Sequence, residues 1–526
     1  MSNVERVASC GREHYHVSFR PEKKDRESYI HPIAGFGTQL EQKKDVLVLY
    51  GNQGAAEILK TVTSERLSQN SIVLLNYPVS VAFRRDLAEL SRKQQSRACS
   101  FLLIDQVLAL HLAMHDQPVR LPVLLKCSLP LTYYQPFVRD VGPIADEMFC
   151  GREVELAAIM DPNGACVVYG GRQLGKTALL QRAESLFAKP DKKQYAVRVS
   201  ILGIGSEKSV VQKISEAIQR NTGLPFGTPE NMEDLCANIL EQINVNDGFK
   251  MLLLIDEADE FLAAISNNGF AQLRSLVDLR RETRNNFKFV LVGLHNVSRA
   301  KNATNNNGVF GQLGTPLCIK PFAPSEALRL ISKPLAYLGF QVDRYPHLET
   351  ILASTNYYPG ILQFFGYSLV ETMTSQYGTY YRAADGNPPF TLQKEQLGSI
   401  MNSADLNNSI KEKFRLSLEL DKRYFMIARC IASLYFQNEG TAGQSNLLGY
   451  SIKDIKEFAD ELGILCLENE DARSYENLLE EMVDMGILVK PNIEGSRYRL
   501  RRFSFLNIIG NDDETILEDI VRENEE

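Results

Sequence analysis

The sequence predicts an α/β protein whose core has three layers, with helices on both faces of a parallel sheet. Five apolar runs of strand length alternate with helical patterns between residues 165 and 322, as in successive β-α-β units. The first run leads into a glycine-bearing turn that is followed at once by a helical pattern. The third run ends in Asp256 and Glu257, which places two acids at the carboxyl end of a buried strand.

The glycine-bearing turn is the most specific feature of the chain. Gly170, Gly175, Lys176 and Thr177 satisfy G-x-x-x-x-G-K-[ST], the phosphate-binding loop (P-loop), so the core is expected to be that of a P-loop NTPase. Glycines let backbone N–H groups surround the phosphates, and the following helix directs its positive end at them. We expect Lys176 to reach the β and γ phosphates and Thr177 to bind Mg²⁺. The nucleotide-binding residues expected here are Gly170, Gly171, Arg172, Gln173, Leu174, Gly175, Lys176, Thr177 and Ala178.

The acids that end the third strand supply the second half of a nucleotide site. An aspartate at this position can hold the water shell of Mg²⁺, and an adjacent glutamate can orient or deprotonate an attacking water. We therefore expect Asp256 to join Thr177 as a metal ligand and Glu257 to act with Lys176 in catalysis. Residues 256–259 spell Asp-Glu-Ala-Asp, but no Ser-Ala-Thr follows the next strand, which argues against a DEAD-box helicase.

The fourth strand, residues 287–294, leads into His295 and Asn296. A polar side chain there can contact the γ-phosphate or the lytic water, so Asn296 is a candidate catalytic residue and His295 the second choice. Simple capping of the loop is the alternative. The preceding helix ends in three arginines, which a helix C-terminus favours electrostatically; an arginine finger for a neighbouring subunit is the alternative. These arginines are Arg280, Arg281 and Arg284.

Changes in polarity and in hydrophobic pattern along the sequence divide the chain into five parts. They are a polar lead (1–44), a small α/β domain of unknown role with its connector (45–145), the P-loop core (146–322), a helical lid (323–405) and a winged-helix domain (406–526). In the second part, Gly51-Asn-Gln-Gly54 follows a strand and imitates a phosphate loop without Gly-Lys-Thr. A plain strand–turn–helix is the preferred interpretation there, and a degenerate nucleotide fold is the alternative.

The last part has three helical patterns followed by a hairpin that turns at residues 492–495, the pattern of a winged helix. Its third helix is acidic, which opposes entry into a DNA groove. The acids are Glu476, Glu480, Glu481 and Asp484. The hairpin is basic, with Lys490, Arg497, Arg499, Arg501 and Arg502. Contact with a protein is favoured over DNA reading, and DNA binding through the basic wing is the alternative.

Composition and net charge argue against some kinds of binding partner, metal site and cellular location. The chain has 526 residues and a net charge of −7, which argues against a surface that coats nucleic acid. Nine scattered cysteines form no C-x-x-C pair and are expected to be reduced thiols rather than a structural zinc site. The N-terminus lacks the apolar core of a signal peptide, and no apolar run approaches 18 residues. We expect a cytoplasmic protein that makes no membrane contact.

The segment before the P-loop, Cys150-Gly-Arg-Glu-Val-Glu-Leu156, resembles the G-R-E-x-E-L box of STAND and origin-recognition-like AAA+ ATPases. The order of motifs over about residues 147–510 is also that of this family, and is most similar to bacterial STAND-type ATPases, signal-responsive switches often found in conflict and defence systems. The resemblance implies that Gly151 and Arg152 lie beside the adenine or the ribose. It also implies that Pro359 matches the proline of the lid's G-x-P motif, although Tyr357 or Tyr358 stands in the family glycine's place.

These observations predict a switch that binds ATP with Mg²⁺ and hydrolyses it slowly. Its nucleotide state would control self-assembly, for instance into a homo-oligomer, or an unidentified protein partner. Two alternatives stay open. One is a DNA-binding AAA+ ATPase of the initiator or transposition-regulator type, and the other is a scaffold that holds nucleotide without hydrolysing it.

Overall fold

A computed structural model of the chain describes most of its residues. The described ranges are 4–11, 14–19, 44–65, 67, 71–94, 101–139, 144, 148–266, 270–294, 299, 308–342, 345–383, 388–438, 448–491, 496–501, 506, 508–510 and 512–525. The strands are β1 Val4–Gly11, β2 His14–Phe19, β3 Lys44–Leu49, β4 Ser71–Leu75, β5 Phe101–Ile104, β6 Val167–Tyr169, β7 Gln194–Ser200, β8 Lys250–Asp256, β9 Phe287–Gly293, β10 Leu317–Cys318, β11 Phe340–Val342, β12 Phe390–Leu392, β13 Tyr450–Ser451, β14 Leu488–Val489 and β15 Arg497–Leu500.

The α-helices also lie in the described ranges. They are α1 Ala55–Ser64, α2 Val81–Gln94, α3 Gln106–Ala113, α4 Gln117–Ser128, α5 Glu153–Met160, α6 Lys176–Phe187, α7 Glu207–Thr222, α8 Met232–Val245, α9 Asp259–Ile265, α10 Ala271–Glu282, α11 Pro324–Tyr337, α12 Tyr345–Ser354, α13 Pro359–Ala383, α14 Lys394–Met401, α15 Ala404–Leu418, α16 Lys422–Gln437, α17 Ile452–Glu461, α18 Ala472–Asp484 and α19 Asp513–Glu525. In these ranges no helix is both long enough and apolar enough to cross a bilayer.

The five parts expected from the sequence are distributed over two compact units. The first unit contains Met1–Cys150, Pro324–Leu352 and Ile361–Leu406; the second contains Gly151–Ala323, Ala353–Gly360 and Asn407–Glu526. Most of the expected lid therefore belongs with the N-terminal residues, because its helices form their contacts there. A short piece of it, Ala353–Gly360, belongs with the P-loop core.

The first unit is organised around a sheet of order β1-β2-β3-β4-β5. The strands β3, β4 and β5 are parallel, and α1 and α2 connect them over a core that includes Ile58, Val62 and Val73. Residues 4–19 were expected within a polar lead, yet they form the antiparallel strands β1 and β2 at the edge of this sheet. The sequence did not predict these strands, because a strand that is buried on only one face alternates polar and apolar residues and shows no continuous apolar run.

The second unit contains the expected parallel sheet, in the order β10-β6-β9-β8-β7. Every neighbouring pair in it is parallel, and β8 and β9 are buried almost along their whole length, as their unbroken apolar sequences require. The strand that precedes the P-loop, β6, is separated from β8 by β9. This architecture confirms the predicted P-loop NTPase fold.

The end of the chain also belongs to the second unit. Here α16, β13, α17, α18, β14 and β15 follow one another, and the strands form a sheet of order β13-β15-β14. The strands β14 and β15 pair antiparallel, as expected of the hairpin, whose turn at residues 492–495 lies outside the described residues. The sequence did not predict β13, because two residues carry no periodic signal. The helix α19 packs on α16 through ion pairs of Arg429 with Asp519 and Glu523.

Candidate nucleotide site

The P-loop connects the end of β6 to the start of α6. A side chain on Gly170 would place its Cβ 2.5 Å from the carbonyl oxygen of Ile319, a distance that real Cβ atoms do not adopt. Gly175 has a φ of +88° and caps the N-terminus of α6. These two glycines are therefore required by the close approach of β10 and by the backbone turn, respectively.

The ammonium group of Lys176 is held against the loop itself. Its Nζ donates hydrogen bonds to the carbonyl oxygens of Gly170 at 2.8 Å and Gly171 at 2.7 Å. Burial lowers the pKa of this lysine to about 8, although the nearby carboxylates of Asp256 and Asp259 act in the opposite direction. Lys176 must exchange these carbonyl contacts to donate to a phosphate, and its charge is sensitive to pH in a range that assays can reach.

Thr177 and Asp256 lie together, although 79 positions separate them in the sequence. The Thr177 hydroxyl donates to Oδ2 of Asp256 at 3.0 Å, and the backbone N–H of Glu257 donates to Oδ1 at 3.0 Å. Burial raises the pKa of Asp256, and the hydrogen bond from Thr177 counteracts that effect. A hydroxyl and a carboxylate oxygen at one point fit the hard-oxygen preference of Mg²⁺.

Glu257 is exposed and has a φ of +59°, a backbone conformation that non-glycine residues rarely adopt. The Ser200 hydroxyl donates to its Oε2 at 2.5 Å. Ser200 ends β7 and is the register partner of Asp256 on β8, so the neighbouring strand fixes the carboxylate. Ser200 was not predicted from the sequence, because its contact with Glu257 depends on the order of strands in the sheet and not on any local motif.

The end of β9 is tied to the helix that follows the two acids. The carboxylate of Asp259, at the start of α9, accepts hydrogen bonds from the backbone N–H of Leu294 at 3.0 Å and 2.8 Å. The candidate residues His295 and Asn296 come directly after Leu294 and lie outside the described residues. Asp259 thus fixes the point at which this segment leaves the sheet.

The start of α13 contacts the P-loop. The N–H of Gly360 donates to the carbonyl oxygen of Gln173 at 3.1 Å, and a Cβ placed on Gly175 would lie 4.0 Å from Cγ of Pro359. Tyr357, two residues before this proline, has a φ of +59°. Glycine adopts this backbone conformation at lower cost than tyrosine does.

Arg152 is buried, and its hydrogen bonds to main-chain carbonyl groups stabilise the P-loop. Its guanidinium donates to the carbonyl oxygens of Leu174, at 3.3 Å, and of Lys320, and it pairs with Glu155 at 2.9 Å. It also lies 4.9 Å from the centre of the Phe322 ring. Its preceding residue, Gly151, has a φ of +68°. Contact of Gly151 and Arg152 with adenine or ribose stays a prediction.

The three arginines at the end of α10 are used differently from one another. Arg280 donates to the carbonyl oxygen of Pro162 at 2.8 Å and 3.2 Å and to the Cys166 sulfur at 2.9 Å. It therefore connects α10 to the loop before β6. Arg281 and Arg284 are exposed, and Arg281 lies 4.0 Å from Asp278.

The C-terminal end of α18 packs directly against the P-loop. The Tyr169 hydroxyl, at the end of β6, donates to Asp484 at 2.9 Å, and the Tyr358 hydroxyl donates to the carbonyl oxygen of Met485 at 2.5 Å. A Cβ placed on Gly171 would lie 3.1 Å from that same Met485 oxygen. We call the contact made by residues 484–486 with the P-loop the α18 joint. Gly486 completes it, since a Cβ there would lie 2.6 Å from Cγ of Pro321.

A second contact, centred on Arg299, reinforces the α18 joint. The Arg299 guanidinium donates to both carboxylate oxygens of Glu481 at 2.8 to 3.2 Å, to Asp421 at 2.7 Å and to the Tyr424 hydroxyl at 2.9 Å. Burial alone would lower the pKa of Arg299, but the hydrogen bonds that its guanidinium donates to Glu481 and Asp421, together with the charge of Glu481, outweigh burial and raise the pKa. Arg299 lies between β9 and β10, so it connects the P-loop core to α16 and α18.

Among the described residues, no group of three or more His, Cys, Asp and Glu side chains is arranged to hold a metal ion. The Thr177 hydroxyl and the Asp256 carboxylate are two oxygen groups of the kind that Mg²⁺ prefers as ligands.

Comparison with known proteins finds a family match and several similar solved structures. Residues 159–300 match the family described as AAA domain. No curated protein matches the chain. Among solved structures, it is similar to the Walker-type ATPase paby2304 of Pyrococcus abyssi, at 15% identity over 70% of this chain and 98% of that one, with a TM-score of 0.47.

Two further solved structures come from Aeropyrum pernix. The ORC2 protein, solved as ADPNP–ADP complexes, is 16% identical over 71% of this chain and 94% of its own, with a TM-score of 0.42. The ORC1 protein, solved in complex with DNA, is 16% identical over 72% of this chain and 94% of its own, with a TM-score of 0.32. The family match over residues 159–300 and the parallel sheet agree on the P-loop NTPase fold for this part of the chain.

Proposed function

We propose that the chain is an ATP-driven switch that hydrolyses ATP slowly and whose nucleotide state sets the position of α18. The observation that carries the proposal is the α18 joint. A Cβ on Gly171 of the P-loop would lie 3.1 Å from the Met485 carbonyl oxygen, and Asp484 accepts a hydrogen bond from Tyr169 at the end of β6. Any rearrangement of the loop around phosphates acts on these contacts directly.

Nucleotide binding is assigned to the P-loop, residues 170–178, with Lys176 contacting the β and γ phosphates. Thr177 and Asp256 hold Mg²⁺, which when bound neutralises developing phosphate charge. Glu257 orients or deprotonates the attacking water, and Ser200 controls the position of its carboxylate. Asn296 contacts the γ-phosphate or the lytic water, and Gly151, Arg152 and Pro359 border the nucleotide.

The switch acts by exposing or covering the surface that α18 buries in the α18 joint. Residues 406–526 have the succession of elements of a winged helix, and α18 is the third helix of that succession. Two of its four acids, Glu481 and Asp484, are engaged by the P-loop core. Release of α18 exposes an acidic surface, which suits a basic protein surface or a second copy better than DNA. A difference of a few kcal/mol between ATP and ADP states is enough to move this equilibrium.

Measurement of ATP turnover by the purified chain tests the enzymatic part. Wild type is compared with Glu257→Gln and Lys176→Ala, and nucleotide affinity is measured in parallel. We expect low turnover in wild type, unaltered ATP binding without turnover in Glu257→Gln, and loss of both in Lys176→Ala. Unchanged ATPase activity in Glu257→Gln would refute the assigned base. Tight ADP binding with no turnover in wild type would favour a nucleotide-bound scaffold.

A DNA-binding AAA+ ATPase is the second candidate, and β15 supplies the observation that favours it. Arg497 and Arg499 alternate along that strand and Arg501 follows it, while Lys490 is engaged with Glu480 at 2.5 Å. Arg502, the remaining basic residue of this hairpin, lies outside the described residues. Stimulation of turnover by duplex DNA, with a steep salt dependence that is lost in an Arg497, Arg499 and Arg501 triple alanine variant, would favour this candidate.

A further inference from the structure

Helix α3, in the first unit, carries a pair of histidines far in sequence from the P-loop. His111 lies in the last turn of the helix and His115 follows its C-cap, Met114, so the two are four residues apart. That spacing brings side chains onto the same face of a helical turn. His111 is exposed and His115 is half-buried, so solvent reaches the pair.

The distance between the Nε2 atoms of the two rings is the observation on which the inference rests. Their Nε2 atoms are 3.3 Å apart, and the ring planes are inclined at 85°. Two imidazole nitrogens that each lie about 2.0–2.1 Å from one tetrahedral zinc ion are separated by about 3.3–3.4 Å. The observed distance between the two Nε2 atoms therefore matches the spacing of two ligands on one zinc ion. A direct N–H···N hydrogen bond is the alternative, and 3.3 Å is longer than the usual range of about 2.7–3.2 Å for N–H donors bonded to oxygen.

The main chain that carries His115 is held in place by a neighbouring side chain. The Arg120 guanidinium donates to the carbonyl oxygen of His115 at 2.9 Å and to that of Ala113 at 3.5 Å. Asp116, the next residue, is exposed and makes no side-chain capping bond to α4. The hydrogen bonds from Arg120 thus hold the main chain at His115, which reduces the entropy lost when that residue binds an ion.

From this geometry we propose that His111 and His115 form a binding site for a divalent transition-metal ion, with Zn²⁺ as the best fit. Imidazole nitrogen is a preferred ligand of zinc, copper and nickel, whereas Mg²⁺ and Ca²⁺ prefer oxygen. Two protein ligands are fewer than a closed structural zinc site uses, so the remaining positions hold water or an exchangeable ligand. The site is independent of the nucleotide and of the proposed switch.

Titration of the full chain with Zn²⁺ under reducing conditions tests the site. Wild type is compared with His111→Asn, His115→Asn and Leu110→Ala, the last a control on the same helix whose side chain is 68% exposed. We expect wild type and the control to bind one ion more than either histidine variant. Because loss of a mere outer-shell partner costs about 10–100-fold in metal affinity, each variant should weaken this site at least about tenfold.

Two results would overturn the proposal. The first is equal Zn²⁺ binding by all four proteins, which would assign the metal to cysteines or other groups. The second is the lack of any ion bound by wild type beyond the histidine variants at 100-fold excess of Zn²⁺, which would leave the pair as a hydrogen bond. Co²⁺ supplies an independent readout, since thiolate ligation gives a charge-transfer band in the near ultraviolet and imidazole ligation does not. Circular dichroism of each variant checks that the fold is retained.

Discussion

Glu481 of α18 receives the Arg299 guanidinium with both carboxylate oxygens, at 3.2 Å and 3.1 Å from Nε and 2.8 Å from Nη2. Glu481 is 9% exposed, and its Oε2 also accepts from the Tyr424 hydroxyl. A two-point contact of this kind fixes orientation as well as distance. It holds α18 in the position at which Met485 meets the P-loop.

Arg299→Ala should lower the free energy of unfolding and loosen α18. Removal of one partner of a buried pair costs about 3–5 kcal/mol, and the loss here should be smaller because the Arg299 side chain is 30% exposed. Chemical denaturation measures it. Arg415→Ala is the matched control, since Arg415 pairs with Glu419 at the surface and should cost less than about 1 kcal/mol. Equal costs for the two variants would show that the Arg299 contact has no special weight.

Ser200→Ala should raise ATP turnover several-fold and leave ATP affinity unchanged. The hydroxyl donates to Oε2 of Glu257 at 2.5 Å, so its removal frees this carboxylate oxygen to accept a proton from the attacking water. Steady-state kinetics with a parallel binding assay separate the two quantities. A fall in kcat would instead mean that Ser200 holds the base in its productive position.

Gly171→Ala should weaken the α18 joint in the absence of nucleotide. Its Cβ would lie 3.1 Å from the Met485 carbonyl oxygen and 3.4 Å from Met485 Cα, so α18 must shift. Faster hydrogen exchange at the amides of residues 482–486 measures the effect. Gly205→Ala is the control, because the atom nearest to its Cβ lies at an ordinary 3.6 Å. Identical exchange in the two variants would count against the contact.

Nucleotide affinity should fall as the pH rises above about 8, where Lys176 loses its proton. Bound phosphate favours the charged lysine, so binding takes up a proton in this range and weakens by up to about tenfold per pH unit. The same depressed pKa means that the unfolded chain binds more protons between about pH 8 and the ordinary lysine pKa of 10.5, so this group makes stability rise with pH there. Lys176→Arg, which stays charged, should show neither trend. Affinity that stays flat to pH 9.5 in wild type contradicts the assignment.

The P-loop and the acids at the end of β8 were predictable because each is a local pattern with a fixed spacing. The proximity of Thr177 and Asp256 followed from a general rule, since carboxyl ends of parallel strands meet at one edge of a sheet. Ser200 was not predictable, because its contact with Glu257 depends on β7 being the neighbour of β8.

The acids of α18 show where a charge count fails. As a set they predicted only repulsion from DNA, but the structure divides them by partner. Glu481 binds Arg299 and Asp484 binds Tyr169, whereas Glu480 pairs with Lys490 of the hairpin. The face that each side chain presents is fixed by tertiary packing, and the helical period alone does not identify its partner.

The most direct test of the central claim is hydrogen exchange at the amides of α18 and residues 485–486, measured with no nucleotide, with Mg·ADP and with Mg·ATP. Glu257→Gln keeps ATP intact during the measurement. If nucleotide controls α18, the amides of the α18 joint are protected from exchange to different extents in the ADP and ATP states. Protection of α19, which packs on α16, is then the same in both states. Equal protection of the joint in both states, at saturating nucleotide, would contradict the claim that nucleotide controls α18.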